Sequence, residues 1–317
     1  GVVSPPSPAL ATVIRLDAKG CLVRLDEPAE GLPDGGRTLW CAVRGMIHHR
    51  DRTGQAAPLA VGDRVEVLRS AEDRGAVVAT RPRRSTLSRP GGKRGQVEHV
   101  MAANVDQVLV VTSAADPPFN AGLVDRVLAV VEYSELAGLV VVNKADLVER
   151  EPADAAVYRT LGYPVLVTSA RTGAGIEALA AALRGKVSVV AGHSGVGKSS
   201  ILNAVDPGLS LAVGEVNEVT GRGTHTTTAA RWLPLGDDGA VIDTAGIREF
   251  GLFGIPRRDL PWLFKDLAAV APRCRYPDCL HLTEPGCAVR EAVASGTVAR
   301  SRYASYTRIL EGLEERR

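Results

Sequence analysis

The sequence predicts a multidomain α/β protein in three parts: a small β-barrel, a central unit on a mostly parallel sheet, and a helix-rich C-terminal segment built around a metal. Short alternating strands with glycine-marked turns fill residues 12–80. Unbroken apolar runs then alternate with helix-like stretches from 107 to 192. Near the end, three of the five cysteines fall between positions 274 and 287.

A chain of 317 residues suits two or three domains. Hydrophobic residues at 45% and charged residues at 23% are ordinary for a well-cored soluble protein. Aromatics are only 4%, so the core must rest on Val, Leu, Ile and Ala. No stretch has the apolar length of a membrane span, and the first residues do not read as a signal peptide. Scattered cysteines argue against a disulfide framework and for a reducing cytoplasm, with no membrane partner. A monomer is expected.

Residues 1–84 are read as the barrel, with a Pro/Ser-rich start (1–8) expected to be disordered. Thr12–Leu16 and Cys21–Leu25 flank a turn at Lys19-Gly20, and strands at Trp40–Arg44, Asp63–Leu68 and Gly75–Ala79 follow. Five strands in about 70 residues predict a small closed barrel, OB-fold or SH3-like. Pattern alone does not say whether it binds anything. Cys21 and Cys41 fall on its strands and read as core, and Gly31–Arg37 as a loop insertion. Residues 81–94 then carry six basic side chains and no acid. Such a run is usually a solvated linker, assigned here to 85–104, and it is also what a phosphate backbone attracts.

In the central unit, 105–255, apolar strands are predicted at Gln107–Thr112, Gly138–Asn143, Pro164–Thr168 and Val187–Gly192, with another short strand at Val241–Asp243. Helices are predicted near 121–136, 152–161 and 175–184. Strands apolar on both faces, alternating with helices, form a parallel sheet.

Gly192-His193-Ser194-Gly195-Val196-Gly197-Lys198-Ser199 fits G-x-x-x-x-G-K-[ST] and leads into a helix at Ser200. The glycines let backbone N–H groups wrap phosphates, and the helix N-terminus favours negative charge. Lys198 should reach the β and γ phosphates, and Ser199 should ligate Mg²⁺. A Gly-rich turn with a solvated lysine is the bland alternative; a strand before and a helix after argue against it.

Asn143-Lys144-Ala145-Asp146 closes an apolar strand, where open α/β sheets bind ligands. It matches N-K-x-D, whose Asp accepts from guanine N1–H and the 2-amino group; ATP would leave Asp146 unpaired. Thr168-Ser169-Ala170 matches the element that supports the guanine carbonyl. His225-Thr226-Thr227-Thr228 offers a switch threonine for Mg²⁺ and the γ-phosphate, and Asp243-Thr244-Ala245-Gly246 matches D-x-x-G. All five GTPase elements are present, yet the base readers precede the phosphate loop. Each element is a loop at one edge of one sheet, so a circular permutation preserves the site.

The segment 256–317 is read as a helical, zinc-binding domain. Cys274-x4-Cys279-x-His281-x5-Cys287 is a common Cys3His structural zinc set. Reduced, buried cysteines beside an exposed His are the alternative.

From about residue 10 to 310 the chain resembles the bacterial ribosome small subunit-dependent GTPases, the RsgA (YjeQ/YloQ) family. The marks are Ala103-Asn104-Val105-Asp106-Gln107, the phosphate loop through Ser200, His225–Arg231, Ile247-Arg248-Glu249-Phe250-Gly251 and the Cys/His knuckle. The resemblance implies an N-terminal OB-fold, a permuted GTPase domain and a C-terminal zinc domain. It also implies binding to the 30S subunit and its 16S rRNA, late 30S maturation, and GTP hydrolysis stimulated by that particle. Ile247 stands where Ras-like enzymes orient water with Gln, so slow intrinsic hydrolysis is expected, with His225 as the water-orienting candidate. Nucleotide state is expected to reposition the zinc domain relative to the barrel. Two other readings remain: an RNA-binding module with GTP as an unhydrolysed ligand, and a P-loop ATPase.

Overall fold

The computed structural model describes residues 7–17, 19–43, 49–50, 56–70, 73–91, 97–211, 230–236, 238–243 and 255–314. Its first part contains β1 (Ala9–Leu16), β2 (Gly20–Leu25), a left-handed turn labelled α1 (Pro33–Gly36), β3 (Thr38–Val43), the two-residue strands β4 (His49–Arg50) and β5 (Ala56–Ala57), β6 (Arg64–Arg69) and β7 (Arg74–Thr80). Five of these strands close a barrel in the order β1-β2-β3-β7-β6, with β3 and β7 parallel and the other pairs antiparallel. Val13, Val23, Leu39, Val65 and Val67 alternate inward and fill it. Cys21 and Cys41 face each other in register within that core. Burial pushes both thiols up to about 12, so they pack rather than react.

The segment expected to be a linker is instead a β-ribbon, β8 (Thr86–Gly91) paired antiparallel with β9 (Val97–Ala103). The basic run just ahead of it hid the pattern, because three of its arginines pair with acids of the fold, Arg83 buried and Arg81 and Arg84 at the surface. Arg83 sets Nε and Nη2 on the two oxygens of the fully buried Asp63, both at 2.7 Å. Arg84 Nη2 donates to Asp106 Oδ2 at 3.0 Å, and Arg81 pairs with Glu66 at 2.7 Å. The ribbon also stitches barrel to sheet. Ala103 N donates to Val61 O at 2.8 Å, and Asn104 Nδ2 donates to Gly62 O at 2.8 Å. Gly62 sits at φ +92, and a Cβ there would lie 2.1 Å from Ala103 O.

The central unit runs β10 (Gln107–Ser113), α2 (Ala121–Tyr133), β11 (Ala137–Asn143), α3 (Ala153–Thr160), β12 (Val165–Val167), α4 (Ile176–Leu183), β13 (Val187–Gly192), α5 (Lys198–Val205), β14 (Arg231–Leu235) and β15 (Gly239–Asp243). The sheet order is β12-β11-β10-β13-β15-β14, parallel except for the edge strand β14. Every residue of β10 is buried, as its apolar run required of a strand covered on both faces. The chain moves outward from β10 through β11 to β12, then returns to β13 on the other side of β10. Loops after β10 and β13 therefore diverge, which opens a crevice at the C-terminal strand ends. β14 is a strand that the sequence analysis does not predict, and its Pro234 suits only an edge.

The C-terminal part contains α6 (Lys265–Val270), α7 (Ala288–Ala294) and α8 (Arg300–Glu314). It shares one core with the sheet: Phe264, Leu267, Tyr306 and Leu310 pack with Val124, Val127 and Leu128 of α2. At that junction Arg302 donates to Asp125 Oδ1 at 2.5 Å and to Asp266 at 2.8 and 3.1 Å, while Tyr158 OH donates to Asp125 Oδ1 at 2.8 Å. Among the described residues no helix is long and apolar enough to cross a membrane.

Candidate functional site

Three sequence motifs meet where β11, β12 and β13 end. Asn143, at the end of β11, is 2% exposed and touches all three. Its Nδ2 donates to Val196 O in the phosphate loop at 2.9 Å, and its Oδ1 accepts from Ala170 N at 3.3 Å. Gly197 answers this contact: it sits at φ +90, and a Cβ there would lie 2.4 Å from Asn143 Nδ2. The loops that follow β11, β12 and β13 are thus fixed against one another by one amide.

Lys144 takes a left-handed backbone (φ 59), which turns its ammonium back to donate to Asp116 O. Asp146 receives hydrogen bonds from the Ser169 hydroxyl on Oδ1 and from Arg171 Nε on Oδ2, the latter at 2.7 Å. Those two donors, Ser169 first, hold its carboxyl below the usual value, so a full carboxylate faces the cleft. A cavity of about 490 Å³ opens there, lined by Asn143, Lys144, Asp146, Ala170, Gly197 and Ser200.

Beyond it, Gly192, His193, Ser194, Gly195 and Val196 lead from β13 into α5, which begins at Lys198 with Ser199 and Ser200 in its first turn. Lys198 Nζ donates to Gly192 O at 3.0 Å and to His193 O at 2.9 Å, which holds the ammonium at the loop. Exposed His193 turns Nδ1 to Ser194 O at 2.9 Å. Asp243 ends β15 in register with Val190 of β13, so it lies on the same edge of the sheet. His225, Thr226, Thr227 and Gly246 lie outside the described residues.

Sequence reasoning missed two contributors. Arg171 is one: nothing in the T-S-A pattern points to its ion pair with Asp146. The other is the loop after β10, where Asp116 O receives Lys144 and Pro117 packs against Gly195. Its signal was positional, since it leaves a central strand between the two motif strands.

A second cluster lies in the C-terminal part. The ligand atoms of Cys274, Cys279, His281 and Cys287 all fall within 4.8 Å of one another. His281 Nδ1 lies 3.6 Å from Cys274 Sγ and 3.5 Å from Cys287 Sγ, and those sulfurs are 4.0 Å apart. Burial pushes the Cys279 thiol up to about 12 and lowers His281, so a bound cation would have to draw the proton from that thiol. The set can hold one metal ion. α8 leans on this loop: Tyr303 OH donates to His281 O at 2.6 Å and Tyr306 OH to Leu280 O at 2.7 Å.

Comparison with known proteins follows the same lines. A family model described as RsgA GTPase matches residues 80–253. A protein of Gemmatimonas aurantiaca named small ribosomal subunit biogenesis GTPase RsgA is 42% identical over 88% of this chain and 91% of its own length. A protein of the same name from Azotobacter vinelandii is 45% identical, covering 92% of this chain and 83% of its own. Among solved structures, YjeQ from Thermotoga maritima superposes with a TM-score of 0.71 at 32% identity, over 98% of this chain and 100% of that one. YloQ, described as a circularly permuted GTPase, gives 0.69 at 27% identity over 98% and 96%. The permuted strand order, the motif loops at one sheet edge and likeness over nearly the whole length lead to one conclusion: this chain belongs to the RsgA GTPase family.

Proposed function

We propose that this protein hydrolyses GTP on the small ribosomal subunit during its late maturation, in the cytoplasm, with the particle accelerating hydrolysis. The observation that carries the reading is Asn143, which ties the loop at Ala170 to the loop at Val196 across one crevice that Asp146 also lines. Asp146 accepts from the guanine edge, and Ala170 N supports its carbonyl. Gly192 to Gly197 wrap the phosphates, Lys198 neutralises the β and γ groups, and the D-x-x-G residues Asp243 and Gly246 would act on the γ-phosphate. A magnesium ion held by Ser199 and by Thr226 or Thr227 would spread the phosphate charge. His225 orients the attacking water, because Ile247 cannot hydrogen-bond. The test is phosphate release by wild type and His225→Ala with and without purified small subunits. Stimulation by the particle should be lost in the variant while GTP binding persists. Equal turnover in the variant removes the His225 role, and no stimulation of wild type removes the ribosomal reading.

The ion in the C-terminal cluster is zinc. Tetrahedral zinc with bonds of about 2.3 Å to sulfur and about 2.0 Å to nitrogen sets S···S near ~3.8 Å and S···N near ~3.5 Å. The separations of 4.0, 3.5 and 3.6 Å fit it. Cys274, Cys279, His281 and Cys287 fill its four positions, which makes it structural. Chelation should release one zinc per chain and lower the melting temperature, because Tyr303 and Tyr306 are anchored on the cluster loop. Calorimetry paired with metal analysis checks this; stripping that left melting unchanged would refute a structural role.

A further inference from the structure

Both carboxylate oxygens of Asp146 already carry a donor. The Ser169 hydroxyl donates to Oδ1, and Arg171 Nε donates to Oδ2 at 2.7 Å. The two donors differ in kind. Ser169 is 1% exposed, and its Oγ also accepts from Thr172 N at 3.2 Å, so it belongs to the fixed wall of the crevice. The Arg171 side chain is 71% exposed, against 9% for that of Asp146. Both Arg171 and Asp146 line the cavity of about 490 Å³ at the strand ends.

A guanine base entering that cavity brings two donors of its own, N1–H and the 2-amino group. A carboxylate oxygen can accept from more than one donor, so the small buried hydroxyl leaves room on Oδ1. The guanidinium is a different case. It is a bulky planar cation in the exposed part of the lining, and its N–H groups claim the same carboxylate as the base does. Donor faces donor, so the base can seat only after Arg171 has swung into water. An exposed ion pair is worth little, so it breaks readily and the swing costs little.

We propose that Arg171 is a latch on the guanine site: while it is paired with Asp146 the base is kept out, and nucleotide enters only molecules in which the pair is broken. The latch rests on Asp146 reading guanine and adds control of uptake to that site.

A latch acts on the empty protein alone, which gives it a kinetic signature. Apparent affinity is reduced by the fraction of molecules that are open. Removing the side chain should therefore speed association and leave dissociation unchanged. Steering works in the opposite sense, because loss of a cation slows the approach of a polyanionic nucleotide. Faster association cannot come from that source.

The probe is GDP with an N-methylanthraniloyl group on its ribose, mixed by stopped flow with the full-length protein and its Arg171→Ala and Arg171→Gln variants. At low ionic strength both variants should associate roughly 2- to 6-fold faster than wild type, the inverse of the open fraction that an exposed ion pair leaves. The gain should shrink toward none as salt screens the pair in wild type. Association no faster than wild type overturns the latch. So does faster dissociation, which would mean that Arg171 props Asp146 for a base already bound. Asp146→Asn separates this inference from the reading beneath it. Wild-type GDP affinity in that variant would sink the guanine reading. Lost affinity there, with Arg171→Ala associating at the wild-type rate, would sink the latch alone.

Discussion

Asp146→Asn should cost the protein about 10²- to 10⁴-fold in GTP affinity and abolish its preference for guanine. The carboxylate offers two acceptor oxygens, and guanine offers two donors, N1–H and the 2-amino group. Each hydrogen bond to a charged partner is worth about 1.5–3 kcal/mol, so losing two spans that range. An amide in place of the carboxylate also turns an N–H toward the guanine donors. Xanthine carries a carbonyl where guanine has the amino group, so the variant should gain xanthosine triphosphate as a ligand. The fold should not suffer: Ser169 Oγ can still donate to the amide oxygen, and Arg171 is largely exposed. Nucleotide titrations with GTP, ATP and xanthosine triphosphate check it. GTP affinity within about threefold of wild type would refute the guanine role of Asp146.

That site was legible in the sequence because its chemistry is local. A phosphate loop needs glycines and a lysine at fixed spacing, and N-K-x-D needs a strand end; both survive permutation because each is a self-contained turn. The barrel and the parallel strands were legible for a similar reason, since alternation and double-sided burial are written along each strand. What stayed hidden depends on partners far away in the chain. The β8–β9 ribbon reads as a basic linker until β8 is seen paired with β9. β14 is a strand because β15 is beside it, not because Arg231–Leu235 has strand chemistry. The Arg171–Asp146 pair and the Asp116 contact with Lys144 likewise require the folded crevice.

The same limit applies to the junction between the C-terminal part and the sheet, which the sequence divided at residue 256. The core does not divide there. α8 lies on α2, and the loop ahead of α2 supplies the contacts to Lys144 and to Gly195. A shift of the C-terminal part would have to carry α2 along or break the Arg302 junction. Movement relative to the barrel, if nucleotide drives it, therefore starts from a C-terminal part anchored to the helix that flanks both nucleotide loops.

Arg302→Leu should destabilise the protein by about 3–5 kcal/mol, the usual cost of removing one partner from a buried ion pair. Arg302 is 3% exposed and Asp125 not at all, so water cannot replace the lost donors. Leucine keeps much of the volume but leaves two carboxylates facing one another's former partner, Asp125 and Asp266. It also removes the guanidinium that lies 4.5 Å from the Phe264 ring centroid. The melting temperature should fall by roughly 4–8 °C. Burial already raises the Asp125 carboxyl above 3.8, with Arg302 pulling the other way. Without Arg302 the folded chain holds that proton, whereas the unfolded chain releases it above about pH 4. The variant's deficit should then be smallest below about pH 4 and grow as pH rises through the folded value. Adding Asp125→Asn and Asp266→Asn should recover part of the loss and flatten that pH dependence, because no buried carboxylate is then left unpaired. Thermal unfolding of wild type, the single variant and the triple variant across pH decides it. A single variant within about 1 kcal/mol of wild type at pH 7 would show that the junction does not hold the C-terminal part to α2.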